Sequence, residues 1–136
     1  MVRCLKNQTG AKIHYLVKQS FAHTIHDNPY IDKIHVYKPD SSTSVSSLKA
    51  ENFDLIVDLQ KNMKSFKISQ SLGVKTIRFN KMNVRKWLTV NLKINNLPKG
   101  KHLVDRYFDA LSETGIKDDG EGLDYFIMPE DEFDAQ

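Results

Sequence analysis

The sequence predicts an α/β fold built on a parallel sheet, and three observations carry that prediction. Short apolar runs of strand character, at residues 13–17, 34–37, 53–58 and 74–79, alternate with segments of helical character. Glycines stand where helical segments should stop, at Gly10, Gly73 and Gly115. Strands that are each followed by a helix pair in parallel through right-handed crossovers, because the chain must return to the same end of the sheet before the next strand begins. With 136 residues, 40% of them hydrophobic, the chain is long enough for one such domain with its own core.

The elements follow in order. Residues 2–8 read as a helix stopped by Gly10. Residues 12–18 (KIHYLVK) read as a strand in which Ile13, Tyr15 and Val17 alternate with His14, Leu16 and Lys18. A short helix over 20–26, capped by Ser20, precedes the Asn28-Pro29 break and a second strand at 34–37. The serine-rich KPDSSTSVSS reads as a loop leading to a short helix at 48–51. A third strand at 53–58, a helix over 63–72 and a fourth strand at 74–79 come next. Residues 101–114 give the longest helix, with Leu103, Val104, Tyr107, Phe108 and Leu111 on one face. The acidic end after Tyr125-Phe126-Ile127-Met128 reads as frayed.

Composition excludes several classes. A single cysteine, Cys4, rules out an internal disulfide, and no His/Cys cluster has the spacing of a structural zinc site, so neither metal nor cofactor is expected. No apolar run approaches the roughly 18 residues of a membrane span, and MVRCLKNQTG has no apolar leader core, so the cytoplasm is the expected compartment.

The net charge of +3 conceals an asymmetry. Between residues 59 and 104 there is no Asp or Glu, but there are eleven Lys and Arg residues, whereas from Asp105 onward acidic residues dominate. The middle of the chain should project a positive field toward an anionic partner. At its start stands DLIVDLQKNMKS, where an apolar run ends abruptly in Asp58, Gln60, Lys61, Asn62, Lys64 and Ser65. In open parallel sheets ligands bind beyond the carboxyl ends of the strands, where loops lead into helix N-termini. Two readings stay open: Asp58 caps the helix and the lysines are solvated, or Lys61, Lys64 and Lys67 share one helix face and offer point charges to an anion.

The stretches YLVKQSFAHTIHDNPYIDKIHVY, NFDLIVDLQKNMKSFKISQSLGVKTIRF and KHLVDRYFDALSETGI resemble the N-terminal domain of the family 9 glycosyltransferases, the ADP-heptose:lipopolysaccharide heptosyltransferases. The likeness runs from Val2 to about Ile116, and the order and spacing of four stretches carry it: NPYIDKIHVY, DLIVDLQ, GVKTIRF and HLVDRY. It implies a GT-B enzyme whose first Rossmann-like domain binds the acceptor and whose second binds the ADP-sugar. Heptose would pass with inversion, and without a metal, from ADP-heptose to an inner-core sugar of lipopolysaccharide. The basic segment after the DLQ strand implies acceptor contacts from Gln60, Lys61, Lys64 and Ser65. The expected location is cytoplasmic and peripheral at the inner membrane.

The sequence departs from the family pattern in two places. The first strand and the Gly-Asp loop bearing the family's general base would lie before Met1, so no catalytic residue is assigned here. The donor domain would lie after Gln136. The expectation is therefore a Rossmann-like acceptor domain over 1–116, lacking its first strand, and an acidic segment over 117–136. The chain alone should transfer no heptose. The missing central strand would leave its neighbours near Tyr15 and Ile56 with open edges, favouring low stability, direct pairing of the two, or self-association. His102, at a helix start, reads as structural, and His14, His23, His26 and His35 as scattered residues without a role. Asp54 and Asp58 share a strand face and read as turn formers. Trp87 reads first as a core residue and second as a membrane-surface contact.

The alternative class is an anionic-ligand or nucleic-acid-binding module without catalysis. Against nucleic acid, the basic stretch holds few aromatics for base stacking and no RNP-like or helix-turn-helix spacing. A flavodoxin-like nucleotide binder would need a glycine-rich phosphate loop, and none is present.

Overall fold

The computed structural model describes residues 1–38, 43–79 and 102–126. The expectations for residues 39–42, for Trp87 and the basic residues between 81 and 101, and for Ile127 and Met128 lie outside the described residues. The chain is mixed α/β and divides into two compact units, Met1–Ser47 with Asp118–Gln136, and Leu48–Lys117.

In the first unit, α1 (Val2–Thr9) ends as the sequence predicts. Gly10 takes a left-handed φ of 64° and its N–H donates to Lys6 O. Strands β1 (His14–Lys18) and β2 (Lys33–Tyr37) pair in parallel, from His14 opposite Lys33 to Lys18 opposite Tyr37. Period-two alternation puts Tyr15, Val17, Ile34 and Val36 on one face and His14, Leu16, Lys18, Lys33, His35 and Tyr37 on the other.

The crossover between them is a 3₁₀ helix, Gln19–Ile25, rather than an α-helix capped by Ser20; it follows extended Lys18 with no side-chain cap. The tighter winding has a physical use. Seven 3₁₀ residues travel about 14 Å, against about 10 Å in an α-helix, close to the roughly 16 Å of strand the chain must retrace. Asp32 then anchors the sheet: its carboxylate accepts from Ile13 N (2.6 Å) and Lys6 Nζ (2.7 Å), and its N–H donates to Ile13 O (2.8 Å).

Helix α2 (Thr43–Ala50) begins several residues earlier than the expected 48–51. In the second unit, β3 (Ile56–Asp58) and β4 (Thr76–Arg78) pair in parallel across α3 (Met63–Leu72), which Gly73 stops in a left-handed conformation. Both strands are shorter than the apolar runs suggest. Asn52, at a φ of 51°, turns the chain, and the ladder opens only where Ile56 N donates to Lys75 O (2.9 Å).

Helix α4 (Leu103–Ala110) is eight residues long, not the longest helix; the ten residues of α3 exceed it among those described. Its continuation tightens into a 3₁₀ turn, Ser112–Thr114, because the Thr114 hydroxyl donates to Leu111 O (2.6 Å) and competes for the carbonyl an α-helix would use. The core of this unit is Leu48, Ile77, Phe79, Leu111 and Ile116, with Phe79 edge-on to Tyr107 at 4.7 Å between ring centres.

The parallel pairing is as predicted, but among the described residues two two-stranded sheets stand in place of one. No helix among the described residues is long and apolar enough to cross a membrane.

Candidate functional site

The polar turn after β3 is built around a buried carboxylate. Asp58 closes the strand at 6% exposure. Its Oδ1 accepts from Gln60 N (3.0 Å) and Lys61 N (2.8 Å), and its Oδ2 accepts from the Ser65 hydroxyl (2.8 Å). One side chain therefore satisfies two turn amides and ties the strand end to the first turn of α3. It is a turn former, as the sequence suggests. Asp54, by contrast, is exposed and precedes the strand, so the two aspartates do not share a strand face.

The helix cap itself is Asn62, not Asp58. Asn62 Oδ1 accepts from Ser65 N (2.8 Å) while Ser65 Oγ accepts from Asn62 N (3.0 Å), a reciprocal capping box. Lys61 lies before this cap at a φ of 43°, so it is not on the helix; only Lys64 and Lys67 have i, i+3 helical spacing. The backbone holds Lys61 in a left-handed conformation that costs a non-glycine residue about 1 kcal/mol or more, offset by the bond from its N–H to Asp58.

The four sequence-predicted contact residues therefore sit within one turn but play different parts. The side chains of Gln60, Lys61 and Lys64 are exposed. Ser65 is half-buried, its hydroxyl engaged by Asp58 and Asn62. Of the backbone amides from Gln60 to Ser65, those of Gln60, Lys61, Asn62 and Ser65 are taken by side chains of the same turn. The Asp58 carboxylate thus takes the Gln60 and Lys61 amides that an anion in the turn would meet, and the Gln60, Lys61 and Lys64 side chains are what the turn leaves exposed.

Beneath the turn lies Arg78, which the sequence reading did not single out. It stands opposite Asp58 in the β3–β4 register, its Nε 3.9 Å from Asp58 Oδ2. Its Nη2 donates to Ser69 Oγ (2.7 Å), and the guanidinium lies 5.0 Å from the centre of the Phe66 ring. Register was the missing signal: two strands of known pairing put Asp58 and Arg78 side by side. His102 proves structural. Its Nδ1 accepts from Val104 N (3.3 Å) and its N–H donates to Asp105 Oδ2 (3.0 Å), another reciprocal cap.

In the first unit the polar cluster is of another kind. Arg3, buried on α1, donates through Nε and Nη2 to both oxygens of Asp119 (2.7 Å each), through Nη1 to Asp124, and through Nη2 to Gly122 O (3.3 Å). The bond to Arg3 holds the Asp119 carboxyl well below the usual range and raises the guanidinium in turn. The buried Cys4 thiol donates to Asp119 Oδ2 (3.4 Å). Cys4, Asp118 and Asp119 have metal-ligand spacing, but Arg3 already neutralises Asp119.

No family model, no curated protein and no solved structure matches the chain.

Proposed function

We propose that this chain is the acceptor-binding region of a heptosyltransferase-like glycosyltransferase, and that the β3–α3 turn receives a phosphate- or carboxylate-bearing inner-core sugar of lipopolysaccharide. What supports this is a single arrangement: Gln60, Lys61 and Lys64 stand exposed beyond the carboxyl end of a parallel strand, on a turn that buried Asp58 and the Asn62 cap hold in one conformation. Ligands of open parallel α/β sheets bind at that end of the strands. The lysines supply compact charges that track an anion's position, and Gln60 supplies a donor and an acceptor to sugar hydroxyls.

In this proposal the parallel α/β pattern belongs to the Rossmann-like acceptor half of a GT-B enzyme. The donor is ADP-heptose, bound by a separate domain, and the protein works in the cytoplasm at the face of the inner membrane. Gln60, Lys61 and Lys64 hold the acceptor; Ser65 and Asp58 position the turn and touch no substrate. The basic character of the middle of the chain draws the anionic acceptor in.

Amide chemical shifts during titration with a phosphorylated inner-core oligosaccharide test it. The expected result is saturable movement of the 60–65 amides, weaker with the dephosphorylated sugar. Absence of binding, or binding that leaves 60–65 unmoved, would overturn the proposal, and tighter binding of a single-stranded oligonucleotide would favour a nucleic-acid module instead.

A further inference from the structure

We infer that His14 and His35 form a binding site for a late first-row divalent cation such as Zn²⁺ or Cu²⁺. Nothing in the sequence joins them, since they lie 21 positions apart. The β1–β2 register does: His14 pairs with Lys33 and His35 with Leu16, so the two histidines are diagonal neighbours on one face of the sheet. His14 Nδ1 lies 3.1 Å from His35 Nε2, with the ring centres 5.2 Å apart and inclined by 32°. Both residues are half-buried.

The separation is the informative quantity. Two imidazole nitrogens bound cis to one metal at about 2.0–2.1 Å stand about 2.9 Å apart at a right angle and about 3.4 Å apart at the tetrahedral angle. The observed 3.1 Å falls between. Without a metal the same distance serves an N–H···N bond in which one ring must donate and the other accept, so only complementary tautomers of the two rings satisfy it. A cation removes that restriction, because it takes the lone pair of both nitrogens at once and leaves the other ring nitrogens to carry the protons.

The strands also supply stiffness. Each histidine is fixed in a five-residue strand, and Asp32 locks the start of β1 to β2 through Ile13, so little ordering is required on binding. The nearby charges are mixed. Lys33 and Lys18 share the histidine face and oppose a cation, and Asp32, which holds Lys6 and the N–H of Ile13 next to His14, favours one. Imidazole nitrogen selects zinc, copper or nickel over magnesium or calcium, which prefer oxygen.

The test follows the five histidine rings by ¹H–¹⁵N NMR while Cu²⁺, and separately Zn²⁺, is added to the full chain near neutral pH. The expected result is that His14 and His35 broaden or shift together at one equivalent, while His23, His26 and His102 respond only to excess metal. Magnesium should move none of them. His35→Gln should weaken Zn²⁺ binding by about tenfold or more, as expected for loss of one of two ligands, with the far-UV spectrum unchanged. Should that variant misfold, the wild-type ring signals decide alone. Equal response of all five rings, or no response of His14 and His35 at one equivalent, would overturn the inference.

Discussion

Each unit sets an arginine against an aspartate, and the two pairs are put to opposite uses. Arg3 meets Asp119 in a bidentate pair at 2.7 Å and also holds Asp124 and Gly122 O, so its donors are turned inward on the chain's own acidic segment. Arg78 stands 3.9 Å from Asp58, whose oxygens go instead to two amides and a hydroxyl of the turn. In the first unit the cation closes a structure. In the second the buried Asp58 carboxylate shapes a turn on which the Lys61 and Lys64 side chains are exposed.

The comparison breaks most visibly at Asp58. Asp58→Ala removes the acceptor of the Gln60 and Lys61 amides and of the Ser65 hydroxyl, and takes the carboxylate from half-buried Arg78; we expect a loss of about 2–4 kcal/mol in urea unfolding. A loss below about 0.5 kcal/mol would mean that the turn holds without its carboxylate.

A second prediction concerns acid. The folded carboxyls of Asp119, through Arg3, and of Asp32, through Lys6 and then Ile13 N–H, lie below their ordinary values. A depressed carboxyl contributes stability that is complete above its unfolded pKa of about 3.9 and is lost as pH falls through the folded value. Stability should therefore fall steeply below about pH 4, and Asp119→Asn should flatten that slope. An unchanged slope would show that the Arg3 cluster does not hold in solution.

Smaller still, Asn62→Ala removes one half of the capping box and should cost about 1 kcal/mol, read from the denaturant midpoint. Ser65→Ala should cost more than Asn62→Ala, since the hydroxyl also serves Asp58. The reverse order would assign the turn to the cap rather than to the carboxylate.

Much of this was legible in the sequence where local chemistry decides. Gly10, Gly73 and Gly115 stop their elements, and the helix over 63–72 matches because Asn62 and Gly73 cap both ends. The 3₁₀ crossover after β1 was not legible, because residues 19–25 have no side-chain cap and bury no residue that would set α against 3₁₀ winding. At the site, the polar turn was found from its abrupt change of character, but the division of labour within it was not. That Lys61 precedes the cap and that Asp58 absorbs the amides depend on backbone angles. Arg78 and the His14–His35 pair depend on strand register, which no local pattern specifies.

The central claim is that Lys61 and Lys64 are spared from structure and serve an anion, and the Lys61→Ala/Lys64→Ala double variant tests it most directly. Its stability should lie within about 0.5 kcal/mol of the parent, as for exposed side chains without buried partners. Its affinity for a phosphorylated inner-core oligosaccharide, measured calorimetrically from low to physiological salt, should fall roughly two- to thirtyfold and lose most of its salt dependence. Unchanged affinity and an unchanged salt response in a stably folded variant would contradict the claim.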